Sequence, residues 1–248
     1  ITSTTSNPGT IATIGSGTLD LNGAAAYSIN VGASLVNGID VAPWQAGLSI
    51  SSIVQNGGIT KTGNGLLQLS GQSTFAGGVT ISAGGLVIGA AGAGIGAGTG
   101  AAAVTGPVGA GTLTMAAGTR LLVDNTSRTF FNPVTFAGTP AFSNTNVGTN
   151  VTLTVGGAIT PSSDALVVNI DNPFLTVALA GRLANAASIT SIAKTGLGNL
   201  TLNYTGIASS VATSLSGGGT LGILHDGDGD MHSDVLSIGA ITGLSQPA

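Results

Sequence analysis

The residues with the clearest capacity for chemistry lie in one acidic segment near the end of the chain, His225-Asp-Gly-Asp-Gly-Asp-Met-His-Ser-Asp234. Its carboxylates belong to Asp226, Asp228, Asp230 and Asp234, which fall at positions 1, 3, 5 and 9 of a calcium-binding loop. Oxygen ligands at this spacing can surround a hard cation. The segment is therefore a candidate calcium site, and calcium is the one candidate cofactor.

Two positions of the same segment depart from the calcium pattern. Met231 occupies the position that requires glycine, and Ser237 stands where a bidentate acid is needed. A turn between strands is therefore a second interpretation, because Asp and Gly both favour turns. A transition-metal site that uses His225 and His232 is a third, because imidazole suits such metals. Asp234 also belongs to the pattern S-D-x-L-x-[VI], which recurs at Ser163-Asp164 without an acidic cluster. Capping of a turn is therefore an alternative role for Asp234.

Catalytic chemistry finds little support, and we predict no catalytic site. The chain has no G-x-S-x-G motif, and both of its histidines lie in the acidic segment. Glycosidases need two carboxylates across a cleft, but the other candidate acids are scattered singly and are expected in turns. They are Asp20, Asp40, Asp124 and Asp171. A carbohydrate-active β-helix enzyme remains a remote alternative, because five Lys and Arg residues in 248 leave few bases to cluster on one face.

The composition excludes several classes of protein. Gly accounts for 42 of 248 residues, charged residues for 6%, and Glu is absent, which argues against helical bundles and coiled coils. The net charge of −4 argues against nucleic-acid binding, which needs a basic face. Without Cys the chain has no disulfides or zinc-thiolate sites. Hydrophobic residues make up 42% of the chain, so it can bury a core.

Short segments with alternating apolar and hydroxyl residues predict an all-β fold. Val79-Thr-Ile-Ser-Ala83 and Val151-Thr-Leu-Thr-Val155 are examples, and such segments recur every 8–12 residues or so. Asn-Gly pairs at Asn22, Asn37 and Asn56 suit either hairpins or the tight corners of a solenoid. No run of about 20 apolar residues is present, so we expect no membrane span.

An internal repeat favours a solenoid over a sandwich or barrel. The segments 61–69 and 194–202 share the pattern K-T-G-x-G-x-L-x-L. Ser163-Asp164 and Ser233-Asp234 each begin a second shared pattern, S-D-x-L-x-[VI], in the same order. We therefore predict one domain over 1–248 with repeat modules at approximately 57–170 and 190–240. Lys61 and Lys194 begin equivalent strands and are expected at equivalent solvated corners.

The stretch 58–88 contains the strands K-T-G-N-G-L-L-Q-L, F-A-G-G-V-T-I and G-G-L-V-I, and it resembles the autotransporter-associated β-strand repeat. The second copy keeps the first strand alone, because the G-G-T-x-I continuation is missing after Tyr204. The resemblance implies an extracellular right-handed parallel β-helix (β-solenoid) on a bacterial surface, and it supplies no catalytic site. Coils of roughly 20–29 residues would give about ten coils and a rod of about 50 Å.

Trp44 and a Gly- and Ala-rich tract each have two interpretations, and the N-terminal segment suggests a contact with another molecule. Trp44 is either an exposed anchor for a partner or sugar ring, or a buried residue that closes the end of the solenoid. The Gly- and Ala-rich tract 89–111 is either a loop that leaves the solenoid or a close-packed contact surface. The extended, uncharged segment 1–14 could add as a strand to a neighbouring molecule.

These observations favour a non-enzymatic structural protein that self-assembles into a bacterial surface fibre, sheath or matrix. Low surface charge gives little protection against association, so we expect a homopolymer formed by end-to-end or strand-addition contacts. The alternative is the passenger fragment of an autotransporter adhesin that binds host or neighbouring cells, with contact to a cell surface or polysaccharide. Because the chain begins with Ile1, we expect an extracellular or cell-surface location after removal of a signal or pro-segment.

Overall fold

Three parallel sheets, here named A, B and C, form the body of the protein. The structure is a computed structural model that describes residues 1–5, 7, 9–95, 102–146, 148–203 and 211–224. Sheet A contains, in order, β1 (Thr2–Ser3), β3 (Thr18–Val31), β7 (Ile53–Thr62), β9 (Val79–Ile81), β13 (Leu113–Met115), β16 (Val134–Phe136) and β19 (Ile159–Pro161). Sheet B contains β2 (Ala12–Ile14), β6 (Ala46–Ile50), β8 (Leu66–Leu69), β10 (Gly85–Ile88), β14 (Arg120–Val123), β17 (Ala141–Asn144), β20 (Ala165–Ile170), β22 (Ser191–Thr195) and β24 (Ala212–Leu215). Sheet C contains β15 (Arg128–Phe130), β18 (Val151–Val155), β21 (Leu175–Leu179), β23 (Asn199–Asn203) and β25 (Leu221–Leu224).

The chain alternates between sheets A and B up to β10, passes through A, B and C in turn from β13 to β21, and then alternates between B and C. Each time it returns beside the previous strand of the same sheet. In sheet A the register pairs Ile59 with Val79 and Leu113 with Val134, so these coils are 20 and 21 residues long. Sheet B runs through nine strands of this kind. An ordered parallel stack with a coil length in the expected range confirms the parallel β-helix.

Alternation within each strand divides the coil into an inside and an outside. In β18 the residues Val151, Leu153 and Val155 are buried, and the threonines between them are partly exposed. Neighbouring coils repeat the pattern in register, which produces an outward column of threonines along sheet A. This column consists of Thr60, Thr80, Thr114, Thr135 and Thr160. The apolar columns form one continuous core along the stack.

Two excursions leave the body, each with an antiparallel hairpin. The first, residues 32–45, carries β4 (Leu35–Val36) and β5 (Ile39–Asp40), joined at Asn37-Gly38 with φ values of 52° and 78°. The second lies in the Gly- and Ala-rich tract and carries β11 (Ala93–Ile95) and β12 (Ala102–Thr105). The described residues of the tract support both interpretations, because the hairpin interrupts the parallel strands, whereas Gly92 donates its N–H to the carbonyl oxygen of Thr129 and Gly94 lies closely against the Phe131 ring. A short 3₁₀ turn, Ala186–Ser188, precedes β22.

The segment 1–14 is part of the first coils of the same chain. Its β1 pairs with β3, and its β2 pairs with β6, both in parallel. One edge of each strand is therefore already occupied within the chain. Strand addition to a neighbour stays a prediction, and it would have to use the other edge.

Lys61 is buried at a coil corner, which corrects the expectation of a solvated lysine. It follows the inward-facing Ile59 by two positions, so the alternation of β7 turns its side chain into the coil. Its Nζ donates hydrogen bonds to the carbonyl oxygens of Thr62, Gly63 and Ala83 at 2.8, 2.7 and 3.1 Å. The ammonium group thus ties its own corner to the corner of the next coil.

Lys194 repeats this arrangement at a different corner of the helix. It is also fully buried, and its Nζ donates to the carbonyl oxygens of Gly196 and Gly218. Lys61 lies in sheet A and leads into sheet B, whereas Lys194 lies in sheet B and leads into sheet C. The K-T-G-x-G motif therefore forms the same kind of corner between sheets A and B as between sheets B and C.

We expect Lys61→Met to lower the free energy of unfolding by about 3 kcal/mol, because three carbonyl oxygens lose a buried donor. Arg182→Met is the matched control, since it removes a positive charge from an exposed side chain. Urea denaturation of both variants gives the measurement. Equal stability of the two variants would contradict the bridging role of the ammonium group.

Stability is expected to rise with pH above about 8. Burial lowers the pKa of Lys61 to about 8 from 10.5, and it lowers the pKa of Lys194 in the same direction. Between pH 8 and 10 the folded chain loses the Lys61 proton while the unfolded chain still binds it, so unfolding becomes less favourable, and the lowered pKa of Lys194 acts in the same direction. The urea midpoint should therefore increase from pH 8 to 10 in the parent chain. A double variant with Met at both positions should lack this increase, and an identical slope would contradict the prediction.

Close backbone approach fixes glycine at some corners. A Cβ added at Gly181 would fall far inside van der Waals contact with the carbonyl oxygen of Gly157 in the preceding coil. At Gly222, in contrast, the nearest atom to an added Cβ is 3.7 Å away, on Thr201.

Gly181→Ala should therefore destabilise the fold by about 3 kcal/mol through overpacking, whereas Gly222→Ala should change stability little. Thermal unfolding followed by circular dichroism compares the two variants. Similar melting temperatures for both would show that the corner can relax without cost.

Candidate functional site

The predicted cation site lies outside the described residues. This applies to Asp226, Asp228, Asp230 and Asp234, and to both histidines beside them. Calcium binding there stays a prediction. In the part of the chain that the structure describes, no three His or Asp side chains come together in a way that could hold a metal ion.

Asp20 lies within β3, just before a bulge at Asn22 and Gly23, and not in a turn between strands as expected. Its Oδ1 accepts a hydrogen bond from the backbone N–H of Asn22 at 2.7 Å. Its Oδ2 accepts from the side-chain amides of Gln55 and Asn56 in the next coil. These hydrogen bonds lower the pKa of the Asp20 carboxyl group, and the bond from Asn22 contributes most. The Asp20 side chain thus links its own bend to the bend of the next coil.

Two other acids have comparable local roles. The Asp40 carboxylate accepts from the backbone N–H of Ala42 at 3.1 Å. Asp124 accepts from the backbone N–H of Thr126 and forms a bidentate ion pair with Arg128. Neither acid faces a second carboxylate across a cleft.

Asp171 is the exception among the acids. It follows β20, and its Oδ1 is buried with no hydrogen-bond partner. Buried carboxylate oxygens normally accept hydrogen bonds, because they lose their hydration on burial. The environment of Asp171 is therefore of functional interest, and it leads to Trp44.

Trp44 lies on the first excursion, against the outer face of sheet B. The guanidinium carbon of Arg120, on β14, lies 5.1 Å from the centre of the indole ring. Arg120 Nη2 also donates to the carbonyl oxygen of Pro43 at 3.4 Å. The indole is 40% exposed, so Trp44 is a fixed and accessible aromatic side chain rather than a buried closure of the solenoid.

A small apolar cluster lies on the outer face of sheet B beside the excursion. Leu66, Val87 and Leu122 form this cluster and are almost fully buried, although they alternate with the residues of the main core. Val87 lines a hollow together with Pro43 and Trp44. The contacts of Arg120 with Trp44 and the Pro43 carbonyl hold the excursion against sheet B beside this cluster.

Two hollows adjoin Trp44, and we call them together the Trp44 groove. The larger has a volume of about 580 Å³, and the smaller one of about 250 Å³. Trp44 and Thr145 line both. The larger hollow is also lined by Ile11, Val41, Ala42, Pro43, Gln45, Ala46, Gln68 and Val87, and the smaller by Ser143, Asn144, Asn146, Asp171, Asn172 and Pro173.

The smaller hollow combines an aromatic wall with polar side chains. Asn144 is 2% exposed, and its Oδ1 accepts from the backbone N–H of Asn146 at 3.2 Å, but its Nδ2 has no partner. Both polar atoms of the Asn172 side chain form hydrogen bonds. Its Nδ2 donates to the carbonyl oxygen of Asn146, and its Oδ1 accepts from the backbone N–H of Phe174. Asn144 and Asp171 therefore line the same hollow, and each carries one enclosed atom, a donor Nδ2 and an acceptor Oδ1, that has no hydrogen-bond partner among the described residues.

This arrangement can bind a polar ligand by stacking and hydrogen bonding. The sequence offers Trp44 and Asp171 as separate candidates, and nothing in it predicts that they line the same hollow. Asn144, Gln68 and Arg120 were missed, because isolated amides and a lone Arg carry no motif. Their convergence depends on how the excursion folds over coils that are far away in sequence.

Comparison with known proteins identifies one family. Residues 59–88 match the family model described as the passenger-associated-transport-repeat, whereas no curated protein and no solved structure matches the chain. The matched stretch contains the Lys61 corner and the strands β8, β9 and β10. No helix among the described residues is long and apolar enough to cross a membrane. The match confirms the resemblance to the autotransporter-associated repeat and places a passenger-type repeat at residues 59–88 of this parallel β-helix.

Proposed function

We propose that the protein is a non-enzymatic structural β-helix of a bacterial surface passenger, and that its sides associate with other copies of the chain. The passenger-associated repeat supports a passenger-type protein at the cell surface or outside the cell. The observation that carries self-association is an apolar patch on the first excursion and the neighbouring coil, which we call the hairpin patch.

The hairpin patch consists of aliphatic side chains that contact mainly solvent. Ile39 is 68% exposed, Leu35 48% and Val36 43%, all on the hairpin of β4 and β5. Ile11 and Val41 are also exposed, and both line the larger hollow of the Trp44 groove. Clustered exposed aliphatic residues mark interaction surfaces, because their burial in an interface removes apolar area from water.

Charge offers little resistance to this contact. Charged residues form 6% of the chain, and the net charge is −4 over 248 residues. Two copies that approach through their sides therefore meet weak repulsion and few ordered charges to desolvate. An association of this kind should depend little on salt.

The described side chains support a structural role over an enzymatic one. Lys61 and Lys194 use their amines to bridge coil corners, and Asp20 and Asp124 are engaged in local hydrogen bonds. Glycoside hydrolysis needs a second carboxylate across from the first, and Asp171 is the one acid among the described residues that line its hollow.

We expect the sedimentation coefficient of the purified chain to increase with concentration, and electron micrographs to show laterally associated rods. Ile39→Lys should shift the association to concentrations about tenfold higher, because a lysine would be desolvated in the contact. Leu197→Lys is the matched control, since Leu197 is 52% exposed in the corner after β22, away from the hairpin patch.

Two results would contradict the proposal. One is a single, concentration-independent species over the whole accessible range. The other is an equal effect of the two lysine variants, which would show that the association does not use the hairpin.

A further inference from the structure

We propose that the Trp44 groove binds a segment of neutral polysaccharide, with one sugar ring packed against Trp44 and its hydroxyl groups hydrogen-bonded to Asn144 and Asp171. This goes beyond the proposed function. The hairpin patch shares Ile11 and Val41 with the larger hollow, but lateral association of the rods does not need the smaller hollow, which Asn144 and Asp171 line. Polysaccharide binding in the Trp44 groove would also serve the alternative function, which is adhesion to a cell surface or matrix.

The aromatic wall of the groove suits a sugar ring. A pyranose presents a face of C–H groups that packs on a flat aromatic surface, and indole is the largest such surface in proteins. The Trp44 ring is 40% exposed, while Arg120 stacks on it and bonds to the adjacent Pro43 carbonyl. These contacts hold the ring in place before a ligand arrives, so little side-chain entropy is lost on binding.

The polar wall of the groove lacks partners that a sugar can supply. The Asn144 Nδ2 is a donor and the Asp171 Oδ1 is an acceptor, and both are buried without hydrogen bonds. Leaving such groups unsatisfied is costly, and native structures do so rarely. A sugar hydroxyl is both donor and acceptor, so adjacent hydroxyls on one ring can satisfy both groups once rotation of the two side chains turns these enclosed atoms toward the hollow.

The charges at the groove favour a neutral ligand. Arg120 contributes one positive charge at Trp44, and Asp171 contributes one negative charge in the smaller hollow. The remaining lining side chains are uncharged, and the chain has no basic cluster for a polyanion. An acidic polysaccharide would bring a carboxylate or sulfate close to Asp171 without compensation.

The shape of the groove favours a polymer over a single sugar. The two hollows, of about 580 and 250 Å³, share Trp44 and Thr145 in their walls. A chain that crosses Trp44 can therefore place further rings in the larger hollow, beside Gln68 and the Pro43 carbonyl. We expect affinity to increase with the number of sugar units.

Trp44 is the single tryptophan of the chain, so its intrinsic fluorescence reports on the groove alone. The probes are dextran, xylan, cellohexaose and chitohexaose as neutral ligands, with polygalacturonate and heparin as acidic ones. At least one neutral probe should give a saturable change in fluorescence, and the acidic probes should give none. Affinity electrophoresis in gels that contain the active polysaccharide provides a second measurement, which does not need the fluorophore.

In those gels, Trp44→Ala and Asp171→Ala should each weaken retardation by about tenfold or more. Tyr27→Ala is the matched control, because Tyr27 is an exposed aromatic residue on sheet A, and it should bind as the parent chain does. Circular dichroism of each variant checks the fold.

The inference is overturned if no neutral probe changes the fluorescence, if heparin or polygalacturonate binds as well as the neutral probes, or if both groove variants keep full retardation. Sedimentation of Asp171→Ala separates this inference from the proposed function. The variant should associate as the parent chain does while losing polysaccharide binding. Loss of both properties together would show that the groove is part of the interface between copies, and it would overturn the separate site.

Discussion

In-register hydrogen bonding between successive coils is the constraint on which the rest of this structure depends. Once Ile59 pairs with Val79, and Val79 with Leu113, every side chain must stack on its counterpart in the next coil. Apolar residues then form inward columns, and hydroxyl residues form outward ones. The same constraint brings the corners into direct backbone contact, where Gly181 leaves no room for a Cβ.

The corners have a second requirement, because carbonyl groups accumulate there without strand partners. The buried lysines meet this requirement, since one ammonium group donates to carbonyl oxygens on two successive coils. Burial lowers the pKa of both amines, yet the donors remain matched to acceptors. The recurrence of K-T-G-x-G at an A-to-B corner and again at a B-to-C corner indicates that the local corner geometry, and not its position around the helix, selects the motif.

Much of the fold could be predicted from the sequence because it is periodic. Alternation in segments such as Val151–Val155 and the repeat at Lys61 and Lys194 led to parallel coils of the observed length. The lysines themselves were placed wrongly, because their charge was given more weight than their position two residues after an inward-facing apolar side chain. The alternation rule, applied without regard to charge, would have turned Lys61 into the coil.

The candidate site was much less predictable, for a physical reason. Trp44 and Asp171 line one hollow because an irregular excursion lies against sheet B, and neither its path nor its contact with Arg120 follows from periodicity. The acidic segment with Asp226 shows the opposite case, in which local spacing alone predicts a site. It lies outside the described residues, so the prediction stands as it was made.

The path of the first excursion has a consequence for how such a protein can change over evolutionary time. Residues 32–45 leave the body after β3 and rejoin it at β6, so they contribute no strand to sheets A, B or C. Substitutions there alter the tryptophan, the hairpin and the entrance of the groove without touching the ladder that holds the rod together. A lineage could therefore exchange one excursion for another while it inherits the coils, including Asn144 and Asp171, intact.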